Sequence, residues 1–144
     1  MPDSIRDRED EIVDQFEMLD DWMERYEHLI EMGQQLPPLD HESRTGTWLV
    51  KGCQSQVWLR PEFREGRMFF KADSDALITR GLVALLVHVL NGQPAEDVAA
   101  AELDFIDRIG LREHLSPTRK NGLAAMVARI KAYARSGSIA DTDA

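Results

Sequence analysis

The chain has 144 residues, 43% of them hydrophobic and 30% charged, which is enough for one domain with its own core and no metal or disulfide staples. Its one cysteine, Cys53, excludes an intrachain disulfide framework and a zinc site built on cysteine pairs. A net charge of −9 argues against non-specific binding to nucleic acid or anionic membranes, which needs a basic surface.

The charge is unevenly placed. Residues 1–31 hold 12 acidic and 3 basic side chains and so carry the whole −9, while the remainder has 14 of each sign. From 114 to 140 there are five basic residues (Arg119, Lys120, Arg129, Lys131, Arg135) and no acidic ones. Two solvated helix faces are the plain reading. The two regions facing each other, or serving as separate partner surfaces, are the alternatives. The N-terminus is acidic and lacks the features of a secretory signal, so a reducing, cytoplasmic setting is expected.

Taken in chain order, Ile5, Ile12, Val13, Phe16 and Leu19 have helical spacing, with Ser4 or Asp3 as N-cap. A second helix starts after Asp20-Asp21, is marked by Trp22, Tyr26, Leu29 and Ile30, and is expected to stop with Gly33 at C′. Leu36-Pro37-Pro38-Leu39 opens a loop that runs to about Gly46. Three short strands follow: Thr47–Val50, Gln56–Leu59, with Pro61 limiting it or placing it at an edge, and Met68–Ala72. They predict an antiparallel meander with Cys53 in the first connection and a turn at Arg64-Glu65-Gly66.

The fifteen residues Ala76–Leu90 are too few to span a bilayer and predict the most buried helix, N-capped from Asp73-Ser74-Asp75 and stopped by Asn91-Gly92. Pro94 suits N1 of a short helix through Ala100, and Phe105–Ile109 forms a further turn or two ended by Gly110. Ser116-Pro117 opens the last helix, striped by Leu123, Met126, Val127, Ile130 and Tyr133 and ended by Ser136-Gly137. The domain is therefore α+β, with N-terminal helices, a three-stranded antiparallel sheet and C-terminal helices over residues 1–137, and 138–144 is expected to be a disordered tail.

Cys53 lies in Lys51-Gly52-Cys53-Gln54-Ser55-Gln56. Gly52 permits unusual dihedrals, Lys51 supplies positive charge, and Gln54 and Ser55 supply donors; charge and donors of this kind lower a thiol's pKa. Free cysteines are also among the most buried residues, so composition leaves a reactive and a structural thiol equally open. None of the four histidines (His28, His41, His88, His114) adjoins Cys53 in sequence or shows metal-ligand spacing, and His88 reads as a hydrogen-bonded core residue. Arg119 falls in the first turn of the last helix, where the dipole disfavours a cation, and reads as either a site residue or a surface arginine.

Four blocks in order carry a family resemblance: Leu29–Pro37, Val50–Trp58, Ala72–Ala76 and Leu115–Leu123. Together they resemble the SufE/CsdE family over about residues 8–135. The resemblance implies a sulfur acceptor with a fold like the IscU/NifU scaffold proteins. In that reading Cys53 takes persulfide sulfur from a SufS- or CsdA-type, pyridoxal-phosphate-dependent cysteine desulfurase, stimulates it, and passes the sulfur to a SufBCD-type scaffold for iron–sulfur cluster assembly. Gly52, Gln54 and Ser55 would support the loop, and Arg119 and Lys51 would face the partner. The carrier itself would be no enzyme, would hold no cofactor or metal, would bind neither nucleic acid nor membrane, and would be a monomer or weak homodimer. The competing readings are an iron–sulfur scaffold of related fold acting across a dimer, and a cysteine hydrolase pairing Cys53 with a histidine.

Overall fold

The computed structural model describes residues 4–143, with side chains through Gly137. The disordered tail expected for 138–144 falls on residues whose side chains, or in the case of Ala144 whose backbone, lie outside that description.

Helix α1 (Ile5–Glu17) starts on a capping box in which the Ser4 hydroxyl accepts from the Asp7 amide and the Asp7 carboxylate accepts from the Ser4 amide. Helix α2 (Trp22–Gln34) is N-capped by Asp21, whose side chain accepts from the Glu24 amide. Strands β1 (Val57–Arg64) and β2 (Arg67–Ser74) form a hairpin whose two-residue turn puts Glu65 at φ 53° and Gly66 at φ 79°. Positive φ at both positions gives the turn a twist that matches the strands. Helix α3 (Leu77–Leu90) is followed by β3 (Gln93–Pro94), the short helices α4 (Ala95–Ala100) and α5 (Phe105–Arg108), and the long α6 (Pro117–Asp143).

The fold is the expected α+β class with a three-stranded antiparallel sheet, ordered β1-β2-β3. Its strands differ from the predicted ones. Thr47–Val50 contributes a single bridge, Leu49 to Trp58, because residues 45–49 are bent into turns in which the Trp48 and Leu49 amides donate to the Thr45 and Gly46 carbonyls. The third place goes to Gln93–Pro94, on the far side of β2, where Pro94 has no N–H to extend the ladder. Met68–Ala72 thus belongs to the central strand. Pro61 is accommodated inside β1 because β1 is an edge strand.

Helix α3 is the centre of the core, buried at Thr79, from Gly81 to Leu86, and at Val89 and Leu90. One sheet face enters the same core through Val57 and Leu59; Trp58, on the other face, is buried as well, with the Arg44 guanidinium over its ring. Helix α2 crosses α3 at two glycines. A Cβ on Gly33 would lie 2.9 Å from the Gly81 amide nitrogen, and one on Gly81 would lie 2.7 Å from the Leu29 carbonyl carbon. Gly33 is therefore a packing residue inside α2, not the C′ residue expected, and the helix runs to Gln34 with Gln35 as its C-cap. Gly137 is similarly corrected. Helix α6 continues past it, and the glycine sits where a Cβ would run into the Phe63 ring.

Three smaller expectations also change. The N-cap position of α3 is Ala76, with no side-chain cap, because Asp73 is drawn into ion pairs with Arg44 and Arg80. Pro94 precedes the first turn of α4 and does not occupy it. His88 is not a core residue: its side chain is 38% exposed and faces Glu11 of α1 at 3.6 Å.

Helix α1 exchanges polar contacts of both signs with the segment around α5. Arg6 pairs with Asp104 at 3.0 Å and Asp10 with Arg108 at 2.9 Å, while the buried Glu9 carboxylate accepts from the Phe105 amide. Burial pushes the Glu9 carboxyl above its usual range. On α6, Arg129 donates to the Leu49 carbonyl and Lys131 to that of Ala101.

The α2–α3 crossing yields a test. Gly81→Ala is expected to destabilise the protein by about 1–3 kcal/mol, the usual cost of overpacking, although alanine is the better helix former. Urea unfolding should show a lower midpoint with an unchanged slope, and an equal or raised midpoint contradicts the close crossing.

Candidate functional site

Cys53 lies in the tight loop between the Leu49 bridge and β1. The loop is closed at its base by the Val50 amide donating to the Val57 carbonyl at 2.8 Å, with Leu59 donating to Trp48 at 2.9 Å. Its outgoing end is tied to the approach to α3: the Gln56 amide donates to the Asp75 carboxylate at 3.0 Å, and the Asp75 amide to the Gln56 carbonyl at 3.2 Å. These bonds satisfy backbone groups that a short loop would otherwise leave unpaired.

Between those anchors the loop lies on α6. Gly52 has φ 94°, a conformation that only glycine adopts without strain, and a Cβ there would come within 3.2 Å of the Ala125 methyl. The Cys53 Sγ reaches the α6 backbone beside Gly122 and donates to the Gly122 carbonyl at 3.5 Å. A Cβ on Gly122 would stand 3.5 Å from Sγ, in ordinary contact, so the thiol packs directly on this turn of the helix and leaves room for little more than a methyl.

A cavity of about 280 Å³ opens beside the thiol. Cys53, Gln54 and Ser55 line it from the loop, Ala76, Thr79 and Leu82 from the start of α3, and Ser116, Thr118, Arg119, Gly122 and Met126 from α6. Hydroxyl groups and one guanidinium supply its polarity, and no carboxylate or histidine is among the lining residues. The Ser116 hydroxyl caps α6 by accepting from the Arg119 amide at 3.3 Å, which fixes the first turn of α6 at the rim.

The predicted site residues are partly assembled here. Cys53, Gln54, Ser55 and Arg119, more than sixty residues apart in sequence, line one cavity. Lys51 and Gly52 are exposed on the loop and do not line it. The electrostatic expectation for the thiol is reversed. Cys53 is half-buried, and burial pushes its pKa up from the ordinary value near 9.0, because exposed Lys51 does not offset the loss of water around the sulfur. The resting side chain is a neutral thiol at neutral pH.

The histidines lie elsewhere: His28 against Gln15, His88 against Glu11, His114 stacked on the Trp22 ring, and His41 in a single 3-10 turn. The Cys–His pair that a hydrolase requires, with the ring within about 3 Å of the sulfur, is not formed in this arrangement. Among the described residues no group of three or more His, Cys, Asp or Glu side chains is placed to hold a metal ion. None of their helices is long and apolar enough to cross a membrane.

Sequence reasoning missed Gly122, Ala125 and Thr79 as parts of the site. Gly122 did leave a signal, since a glycine inside an otherwise helical pattern has a packing or functional reason more often than not. Thr79 and Ala125 left none; they belong to the site only because α3 and α6 meet the loop there.

Comparison with known proteins places the chain in a family and matches its fold. Residues 10–134 match the model of the SufE family, described as an Fe-S metabolism associated domain. An uncharacterised SufE-like protein of Rhizobium etli is 46% identical over 133 residues, covering 88% of each chain. One from Rhizobium meliloti is 42% identical over 130 residues, covering 87% of this chain and 93% of its own. The chloroplastic and mitochondrial SufE-like protein 1 of Arabidopsis thaliana is 42% identical across 81% of this chain, which spans 32% of that longer protein. The solution structure of a hypothetical protein from Thermus thermophilus superposes with a TM-score of 0.76 over 92% of this chain and 96% of its own, at 22% identity, so it shares the fold. With the family's domain covering nearly all of the folded core, this chain belongs to the SufE family and through it is associated with iron–sulfur metabolism.

Proposed function

We propose that Cys53 is a sulfur acceptor: it takes the outer sulfur of a persulfide on a pyridoxal-phosphate-dependent cysteine desulfurase and delivers it to a scaffold that assembles iron–sulfur clusters. The observation that carries this reading is the chain's one thiol on a tethered loop, opening onto a carboxylate-free cavity, in a family tied to iron–sulfur metabolism.

The chemistry asks little of the carrier. The Cys53 thiol gives up its proton, and the thiolate attacks the outer sulfur of the donor persulfide. A new S–S bond forms on Cys53, the donor's S–S bond breaks, and the donor leaves as a thiolate. No net oxidant or reductant is consumed. Since the resting thiol is neutral, the proton acceptor comes from the docked partner or from solvent at the moment of transfer. Delivery repeats the same exchange with Cys53 as donor. The carrier contributes a reachable sulfur and a seat for it, and turns over nothing by itself. A free thiol with this role suits a reducing compartment, the cytoplasm in our reading.

The partner has to meet the loop, so its footprint includes the cavity rim. Arg119 lines the cavity and is exposed, Lys120 is exposed beside it, and Lys51 is exposed on the loop, which makes the rim basic within an acidic protein. An acidic patch around the desulfurase's own cysteine is the complement such a rim fits.

Two experiments test the reading. After incubation with a cysteine desulfurase and cysteine, mass spectrometry should find one added sulfur on the Cys53 peptide. Cys53→Ser should remove that mass gain and leave the fold intact. Sulfur appearing on the serine variant overturns the assignment. Arg119→Glu should slow desulfurase activation roughly 3- to 10-fold at low salt, with the difference shrinking as salt screens the encounter. Unchanged activation at low ionic strength would remove Arg119 from the docking surface.

A further inference from the structure

The Gly122 carbonyl meets Cys53 in a way that depends on whether the cysteine carries sulfur. As a thiol, Sγ holds a hydrogen and donates it to that carbonyl at 3.5 Å. A carbonyl oxygen only accepts. Once an outer sulfur is bonded to Sγ, the inner sulfur carries no hydrogen, and the carbonyl faces a bare lone pair. The thiolate form has the same defect. The contact is therefore available to one state of the cysteine alone, the unloaded neutral thiol, and it is repulsive in the others.

The surroundings favour the opposite charge state. The cavity next to Sγ presents Arg119 and the hydroxyls of Ser55, Thr79 and Thr118, without a carboxylate. The outer sulfur of a persulfide is more acidic than a thiol and, on losing its proton to water, becomes an anion drawn toward those donors and away from the Gly122 carbonyl. Among the described residues, Arg119 is the one charged residue lining the cavity. Lys51 lies on the loop, Asp75 before α3 and Lys120 next to Arg119. Arg129 of α6 is bonded to the Leu49 carbonyl and Arg80 of α3 to Asp73, and the start of α3 gives the cavity only neutral Ala76, Thr79 and Leu82.

We propose that Gly122 is a positioning residue that latches the Cys53 loop to α6 only while the cysteine is unloaded, so that gaining a sulfur atom itself loosens the loop for delivery. This rests on the sulfur-acceptor reading for its purpose, and it extends that reading by making the release a consequence of loading, with docking not required. The limited room at 122 is half of the device, since a side chain branched beyond Cβ would push Sγ off the carbonyl. The hydrogen on Sγ is the other half.

The test uses the full chain and inorganic polysulfide as the loading agent, so it does not require that a desulfurase accept this protein as partner. Amide hydrogen exchange across residues 50–56 should be several-fold faster in the polysulfide-loaded protein than in the thiol form. Cys53→Ala, which has neither donor nor added sulfur, should exchange as fast as the loaded protein. Cys53→Ser, which keeps a donor, should stay close to the thiol form. Methyl methanethiosulfonate, which caps Sγ with a neutral S–CH3 group, should also release the loop. Equal loop exchange in the thiol, loaded and Cys53→Ala forms would falsify the latch.

A second measurement reads Gly122 directly. The iodoacetamide alkylation rate against pH should show an inflection above that of the urea-unfolded chain for the wild type. Gly122→Ala should retain it, because a Cβ at 3.5 Å is ordinary contact. Gly122→Val, whose branched side chain meets Sγ, should shift the inflection down toward the unfolded value. If the valine variant keeps the wild-type inflection, Gly122 does not position the thiol. Failure of the sulfur-acceptor reading would show separately, as a missing mass gain with desulfurase and cysteine while polysulfide loading and loop exchange behave as described.

Discussion

The reactive loop is held against α6 by a contact between parts of the chain that have almost no side chain. Gly52 turns at a φ that other residues resist, and it lies over the Ala125 methyl. One residue later Sγ settles beside Gly122. Larger groups at these places would lift the loop off the helix, and with it the cavity wall formed by Cys53, Gln54 and Ser55. The cavity, the burial of the thiol and the proximity of Arg119 all follow from this close approach. The hydrogen bonds at the loop's base and the Gln56–Asp75 pair then fix where the loop leaves and rejoins the sheet.

That geometry accounts for a thiol that is accessible and yet not activated. Burial raises the cost of a thiolate, and the one polar group bonded to Sγ is an acceptor. Such a thiol suits the sulfur-acceptor role proposed above: a permanently ionised thiol would react with disulfides and oxidants at large, whereas a neutral one reacts when a donor sulfur is presented at close range. The charge pattern of the whole chain serves the same division. Carboxylates of α1 are spent in part on Arg108 and on the Phe105 amide, far along the chain from the loop, and the cavity rim is left basic.

The core behind the site is closely packed for a comparable reason. At the Gly33–Gly81 crossing α2 and α3 touch backbone to backbone, which sets the position of α3, and α3 supplies Ala76, Thr79 and Leu82 to the cavity. Asp73, buried and paired with Arg44 and Arg80, joins the end of β2 to α3 and to the loop before the sheet. Its two guanidinium partners offset the cost of placing a carboxylate among buried side chains.

By itself the sequence determined the local features. These are a helix start at Ser4 or Asp3, a second start after Asp20-Asp21, the Arg64-Glu65-Gly66 turn, the Ser116 cap, the buried apolar helix and a cysteine after glycine on a loop, all set by short-range chemistry. The four ordered blocks were enough for the family. Tertiary structure decided everything that depends on what lies across the gap. Leu49 makes one bridge where a strand was expected, because a bent backbone cannot continue a ladder, and Gln93–Pro94 takes the place on the other edge. Gly33 and Gly137 read as helix stops because glycine is common there, but close neighbours, α3 in one case and the Phe63 ring in the other, are what require them. The thiol's pKa followed the same logic. Lys51, two residues before it in sequence, is exposed to water, while burial where the loop lies on α6, some seventy residues away, is what raises the thiol's pKa.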